Sequence, residues 1–192
     1  MIPHTQDELM TEVTMTHSIK LTTGKAFPAV EASLIDGSTV NLGKAHSGAD
    51  WQMIVVYRGK HCPLCTRYLA LLEEQQEALK VIGVSVTAVS ADSKEQLEEH
   101  MGKLAVTFPI AYGLTEQQMK QLGLYISAPR SEQETDHNYS EPALFIINDQ
   151  GILQAIDISN VPFLRPELDV VVRGITFIRS QEGYPIRGTV AY

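Results

Sequence analysis

The sequence predicts an α/β domain in which a central mixed sheet is flanked by helices and preceded by an amino-terminal β extension. Three observations carry this. Apolar runs of strand length at Trp51 to Tyr57 (WQMIVVY), Val84 to Val89 (VSVTAV) and Ala143 to Asn148 (ALFIIN) suit strands covered on both faces. Segments with apolar residues at helical spacing separate and follow them. A turn at Asp149-Gln150-Gly151 joins the third run to Ile152 to Ile158 (ILQAIDI) as a hairpin.

Taken in order, the first 22 residues show weak periodicity, and Ala26, Pro28, Leu34, Asp36-Gly37, Val40 and Leu42 read as short extended pieces around a turn, the β extension. The strand Trp51 to Tyr57 ends in a loop at Arg58-Gly59-Lys60. From Pro63, a residue suited to the first helical turn, Leu64, Tyr68, Leu71, Leu72, Leu79 and Ile82 recur at helical spacing until Gly83. Cys62 then stands at the N-cap. After the second strand, Asp92-Ser93 with Glu95 and Gln96 resembles a capping box for a helix through Leu97, Met101 and Leu104.

Thr107 to Ala111 reads as a short strand that Pro109 places near a sheet edge, and Thr115 to Leu122 as a short helix closed by Gly123. Residues 124–141 have no period, a length that in a compact domain marks a functional or a mobile loop. The last helix begins at Pro166 and carries Leu168, Val171, Val172, Ile175 and Ile178 on one face. The tail Gly183 to Tyr192 holds Tyr184, Ile186, Val190 and Tyr192, more apolar groups than a solvated tail carries, so it is expected to dock.

Composition narrows the function. A chain of 192 residues buries roughly 70% of its unfolded surface. Its net charge of -8, with no cluster of Lys or Arg, argues against nucleic acid and anionic membrane as partners. There is no basic segment followed by an apolar run at the amino terminus, and no run of apolar residues long enough to span a bilayer, so a cytoplasmic protein is expected. The two cysteines, Cys62 and Cys65, are too close for their disulfide to close a loop of any consequence. Structural zinc needs four ligands, and neither a second CxxC nor an HxxxH is present. Redox chemistry is the reading that remains for the pair.

The order strand, CxxC, helix, strand puts both cysteines at the carboxyl end of a parallel strand, where reaction sites collect in open α/β sheets. A thiolate at a helix N-terminus faces unpaired amides and the positive end of the dipole, which lowers its pKa. On a helical wheel Leu64, Tyr68, Leu72 and Leu79 form a stripe with Cys65 at its edge, so Cys65 is expected to be covered and Cys62 exposed. That asymmetry suits attack by Cys62 and resolution by Cys65. Arg58, Lys60 and His61 are expected to add positive charge beside the pair.

The segments VVYRGKHCPLC (55–65), EPALFIINDQGIL (141–153) and AFPAVEASLIDGSTVNL (26–42) resemble the thioredoxin superfamily. Within it the likeness is to the peroxiredoxin-like branch related to alkyl hydroperoxide reductase and thiol-specific antioxidant proteins. The resemblance implies a thioredoxin-like fold, and it implies that Pro142 is a cis-proline packed against the CxxC. On the peroxiredoxin alignment Cys65 takes the peroxidatic position and Cys62 replaces a threonine, while Arg58 stands where that family has proline. The family's arginine is due near the start of ALFIIN, where this chain has Pro142.

The expectation is therefore a thiol-dependent oxidoreductase over residues 23–182, with an extension at 1–22 and a docked tail at 183–192. Cys62 and Cys65 would cycle between dithiol and disulfide, with Pro142, His61 and Arg58 in support and no bound cofactor or metal. Substrates would be protein disulfides, hydroperoxides or both, electrons would come from a thiol donor, and the chain would form a homodimer. One alternative is a peroxidase in which Cys65 attacks peroxide and Cys62 resolves the sulfenic acid. Another is a binding module that uses the groove without catalysis.

Overall fold

The computed structural model describes residues 19–190, so most of the expected amino-terminal extension, together with Ala191 and Tyr192, lies outside the described residues. The expected β extension is a hairpin of β1 (Glu31–Leu34) and β2 (Thr39–Asn41), turned at Asp36-Gly37, where Gly37 takes a φ of 86° and Asp36 accepts from the Ser38 amide. The buried run gives β3 (Trp51–Val56), and the CxxC opens α1 (Pro63–Glu74), which breaks at Gln75 into α2 (Gln76–Val81) rather than continuing as one helix.

Next come β4 (Val84–Val89), α3 (Lys94–Met101) behind the expected capping box of Ser93 and Gln96, and β5 (Ile110–Tyr112). The short α4 (Glu116–Gln121) follows, also capped by a box, of Thr115 and Gln118. The aperiodic stretch contains β6 (Ile126–Ser127) and β7 (Tyr139–Ser140), which pair with each other. The hairpin of β8 (Ala143–Ile147) and β9 (Leu153–Ile158) leads to α5 (Leu168–Ser180), which starts two residues after Pro166.

Seven strands form one mixed sheet in the order β2-β1-β5-β4-β3-β8-β9. β3 runs parallel to β4 and antiparallel to β8. β5 is not near an edge, as Pro109 suggested, because β1 folds back and pairs with its outer side. Pro109 itself precedes the strand, so its missing N–H costs no ladder bond, and its carbonyl accepts from Ala88.

Strand alternation divides the core. Met53, Val55 and Tyr57 of the β3 run face α1, α2, α3 and α5, whereas Ile54 and Val56 face α4 and the hairpin side with Val30 and Leu42. Both faces are thus apolar, as a central strand requires. The tail touches the body where Thr23 Oγ1 donates to the Arg187 carbonyl at 2.7 Å and where Phe177 meets Tyr184 edge-on, while Val190 faces solvent. No helix among the described residues is long and apolar enough to cross a membrane.

Candidate active site

Cys62 caps α1 and Pro63 occupies its first turn, as the motif predicts. The two cysteines are joined by a disulfide, and the Cys65 amide donates to Cys62 Sγ at 3.2 Å. Both are covered, Cys62 at 2% and Cys65 at 0% exposure, which corrects the expectation of an exposed Cys62. The reason is the helix face. The buried stripe of α1 is Cys65, Leu69 and Leu72, which keeps Leu72 from the expected stripe but puts Leu69 in the place of Tyr68, and Leu64 is 47% exposed. Covering Leu69 and Leu72 contributes roughly 1.5 to 3 kcal/mol each, and this turn of the helix carries both sulfurs into the core.

A residue that the sequence did not single out completes the pair. Arg165 Nη2 donates to Cys65 Sγ at 3.1 Å. Arg165 stands in the loop between β9 and α5, its guanidinium lies 4.7 Å over the Tyr68 ring, and Tyr68 Oη donates to the Pro166 carbonyl at 3.0 Å, so α1 itself holds the loop in place. Burial lowers the Arg165 pKa to about 10 and raises Tyr68 to about 12, leaving a cation against a neutral phenol at neutral pH. A fixed cation at this distance favours a thiolate on Cys65.

The expected positive charge from the other side is largely spent. Arg58 meets Glu134 at 3.5 Å and Glu141 at 3.4 Å and donates to Tyr139 Oη at 2.5 Å. Lys60 is paired with Glu99. His61, packed on the Tyr139 ring at 4.6 Å, has its pKa lowered to about 4, by burial first and Arg58 second, so it is uncharged at neutral pH. Glu134, Tyr139 and Glu141 all come from the long aperiodic stretch, whose length was the one sequence signal for them. It folds as a strap over the loop that precedes Cys62.

Asp92, in the segment between β4 and α3, holds that loop from below. Its Oδ2 accepts from the Lys60 amide at 2.8 Å, and a Cβ on Gly59, at φ 131°, would run into the same carboxylate. Burial raises the Asp92 pKa. Pro142 does not play its expected part, because no peptide bond among the described residues is cis. The chain runs extended from β7 into β8, with the Glu141 amide bonded to the Tyr125 carbonyl and the Pro142 carbonyl accepting from Ser159, and an extended segment needs no cis bond. Pro142 instead lines a small cleft with Tyr68 and Arg165.

Behind the disulfide, His100 is fully buried and its Nε2 lies 2.9 Å from Thr66 Oγ1, which also reaches the Cys62 carbonyl. Burial lowers its pKa to about 4 as well. In the unfolded chain both His61 and His100 take up a proton near pH 6.5, in the native chain only near 4. Between those values the unfolded state binds more protons, so stability falls as pH falls. Asp92 acts in the opposite sense. The melting temperature is expected to drop by a few degrees from pH 7 to pH 5, and less in His100→Gln; an unchanged value in the wild type would refute the account.

A model of the AhpC/TSA family matches residues 23–156, ending before Arg165. No curated protein sequence matches the chain. Among solved structures, a cysteine-to-serine mutant of peroxiredoxin 6 from Arenicola marina aligns with a TM-score of 0.68 at 19% identity, over 84% of this chain and 76% of its own. The reduced 2-Cys peroxiredoxin of Plasmodium vivax aligns at 0.64 and 21%, over 83% of both chains. Mycobacterium tuberculosis AhpC aligns at 0.65 and 15%, over 84% of this chain and 99% of its own. At these identities the likeness is one of fold.

Proposed function

The chain belongs to the AhpC/TSA family and is a thiol-dependent oxidoreductase of the peroxiredoxin-like kind, and from that premise we propose that Cys65 attacks a hydroperoxide and Cys62 resolves the product. The observation that supports this order is the contact of Arg165 with Cys65 Sγ at 3.1 Å. In the reduced pair Cys65 is the thiolate. It attacks the terminal peroxide oxygen, the O–O bond breaks, and the leaving alkoxide takes a proton from the Cys62 thiol, giving an alcohol and a sulfenic acid on Cys65. Cys62, now the thiolate, attacks that sulfur, and the S–O bond breaks as hydroxide leaves and takes a solvent proton to become water. Two external thiols then reduce the disulfide and are themselves oxidised to a disulfide.

Arg165 supports both the thiolate and the departing alkoxide, and Arg58, Tyr139 and the trans Pro142 segment shape the surroundings. His61 next to Cys62 in the chain is neutral, and both its ring nitrogens are buried without a hydrogen-bond partner among the described residues. Such a cycle needs a thiol donor, which a reducing compartment such as the cytoplasm supplies.

A second reading has one observation in its favour: Cys62 Sγ accepts an amide at the helix N-terminus, which also stabilises a thiolate there and suits attack on a protein disulfide. Reduced Cys62→Ser protein, given hydroperoxide and dimedone, is expected to carry the adduct on Cys65. A dimedone adduct on Cys62 in the Cys65→Ser protein, none on Cys65 in the Cys62→Ser protein, and a mixed disulfide with insulin trapped on Cys62 would reverse the assignment.

A further inference from the structure

Two buried polar atoms face each other where the strap meets the loop that ends in Cys62. His137 Nε2, from the strap, and Asp92 Oδ1, under the loop, lie 3.8 Å apart, and neither has a hydrogen-bond partner among the described residues. The other ring nitrogen, Nδ1, lies 2.7 Å from Asp136 Oδ1, which also accepts from Gln96 Nε2 at 2.9 Å. These bonds lower the Asp136 pKa to about 2, so its carboxylate only accepts and Nδ1 must carry a hydrogen. In the neutral ring Nε2 then presents a lone pair to the Asp92 carboxylate. Two acceptors are set against each other, and one proton added to the pair turns their repulsion into a charge-assisted hydrogen bond.

We propose that Asp92 and His137 are positioning residues for Cys62, holding one shared proton that clamps the strap to the loop and so sets how readily an external thiol reaches the disulfide. The path from the pair to Cys62 is short. Asp92 Oδ2 accepts from the Lys60 amide at 2.8 Å, and the Gly59 carbonyl accepts from the Cys62 amide at 3.1 Å. A Cβ on Gly59 would collide with the same carboxylate, so turn and carboxylate are packed to move together. With the proton in place the loop is held from both sides and Cys62 stays covered, at 2% exposure. With the proton lost, the strap is repelled and Cys62 opens to attack. One dithiothreitol thiolate then bonds to Cys62 Sγ, the S–S bond breaks, and Cys65 leaves as the thiolate beside Arg165. The second dithiothreitol thiol displaces Cys62, which takes up its proton, and dithiothreitol ends as its cyclic disulfide. This step is the same whichever cysteine attacks the oxidant.

The other charged groups that face the pair are already matched. Lys60 is paired with Glu99 of α3, and Arg58 with Glu134 and Glu141. Burial pushes the Tyr57 phenol up and lowers His61 and His100 to about 4, so all three are neutral from pH 6 to pH 9. Burial also opposes the charged form of Asp92, which favours retention of the proton between the carboxylate and the ring. The two groups titrate as one unit.

The test follows reduction of the oxidised full chain by dithiothreitol from pH 6 to pH 9, read by thiol alkylation and mass. Each rate is divided by that of a small-molecule disulfide at the same pH, which removes the ionisation of dithiothreitol itself. The wild-type ratio is expected to rise about tenfold or more across this range, the scale of one charge-assisted hydrogen bond. In His137→Gln and in Asp92→Asn an amide N–H bridges the pair with no titrating proton, so the ratio is expected to stay flat near the wild-type value at pH 6. His137→Ala removes the clamp and is expected to be about tenfold faster than wild type at pH 6. A residue that only stabilised the fold would shift all pH values alike. His137 stands on the strap rather than in the core, so its variants test the clamp even if Asp92→Asn fails to fold.

Ring nitrogen chemical shifts give an independent reading, with Nδ1 of His137 expected to carry a hydrogen throughout. A wild-type ratio unchanged with pH, a His137→Gln profile that still follows the wild type, or a folded His137→Ala protein as slow as wild type at pH 6 would each overturn the proposal. So would a neutral ring with its hydrogen on Nε2, or a disulfide that dithiothreitol fails to reduce at pH 9. The order of attack by the two cysteines is decided separately, by the dimedone adducts.

Discussion

A Cys65→Ser variant is expected to lose hydroperoxide reduction by on the order of a thousandfold or more, because it removes the nucleophile itself. The serine hydroxyl would sit within reach of Arg165, but an alcohol is not ionised at neutral pH, and a cation at 3.1 Å cannot shift it far enough to matter. The buried position explains why nothing else substitutes. Cys65 is fully covered, and Cys62, the other of the chain's two cysteines, is held at the helix cap with its Sγ accepting from the Cys65 amide. Steady-state turnover with cumene hydroperoxide and dithiothreitol measures the loss. Retention of more than a tenth of wild-type activity would show that Cys62 can open the cycle alone.

Arg165→Met is expected to slow the reaction of reduced protein with hydroperoxide by roughly 100- to 1000-fold, the scale found when one preorganised donor is removed from developing negative charge. The same change is expected to raise the pKa of the Cys65 thiol, since burial then acts without an opposing cation. Stopped-flow kinetics against pH reads both effects. Methionine keeps much of the volume against Tyr68, which limits the structural cost of losing the stacked guanidinium. Arg165→Lys separates charge from geometry: a lysine restores positive charge but not the planar fork, so partial recovery of the thiol pKa with incomplete recovery of rate is expected. A Met variant with an unchanged thiol pKa and rate would remove Arg165 from the reaction.

The two predictions differ in how visible their residues were. Cys65 is announced by its motif, since a CxxC directly after a fully apolar strand and followed by proline admits few structures. Arg165 has no such mark. It is 100 residues away along the chain, in a loop whose local pattern shows only prolines, and it reaches the sulfur because the β8–β9 hairpin returns the chain to the side of α1 where Tyr68 waits.

By itself, the sequence determined the elements and their order. Continuous apolar runs and a hairpin turn placed β3, β4, β8 and β9, helical spacing placed α1 and α5, and the side-chain cap at Ser93 marked a helix start, because each signal is a property of neighbouring residues. Tertiary structure alone decided what depends on long-range contacts. It chose the face of α1 that is buried and so covered both cysteines, and it placed β5 inside the sheet by pairing it with β1. It neutralised Arg58 with carboxylates from a stretch that has no period, and it kept Pro142 trans in an extended segment. A change in which helix face packs costs little in local propensity, so only the fit of the whole core selects between the alternatives.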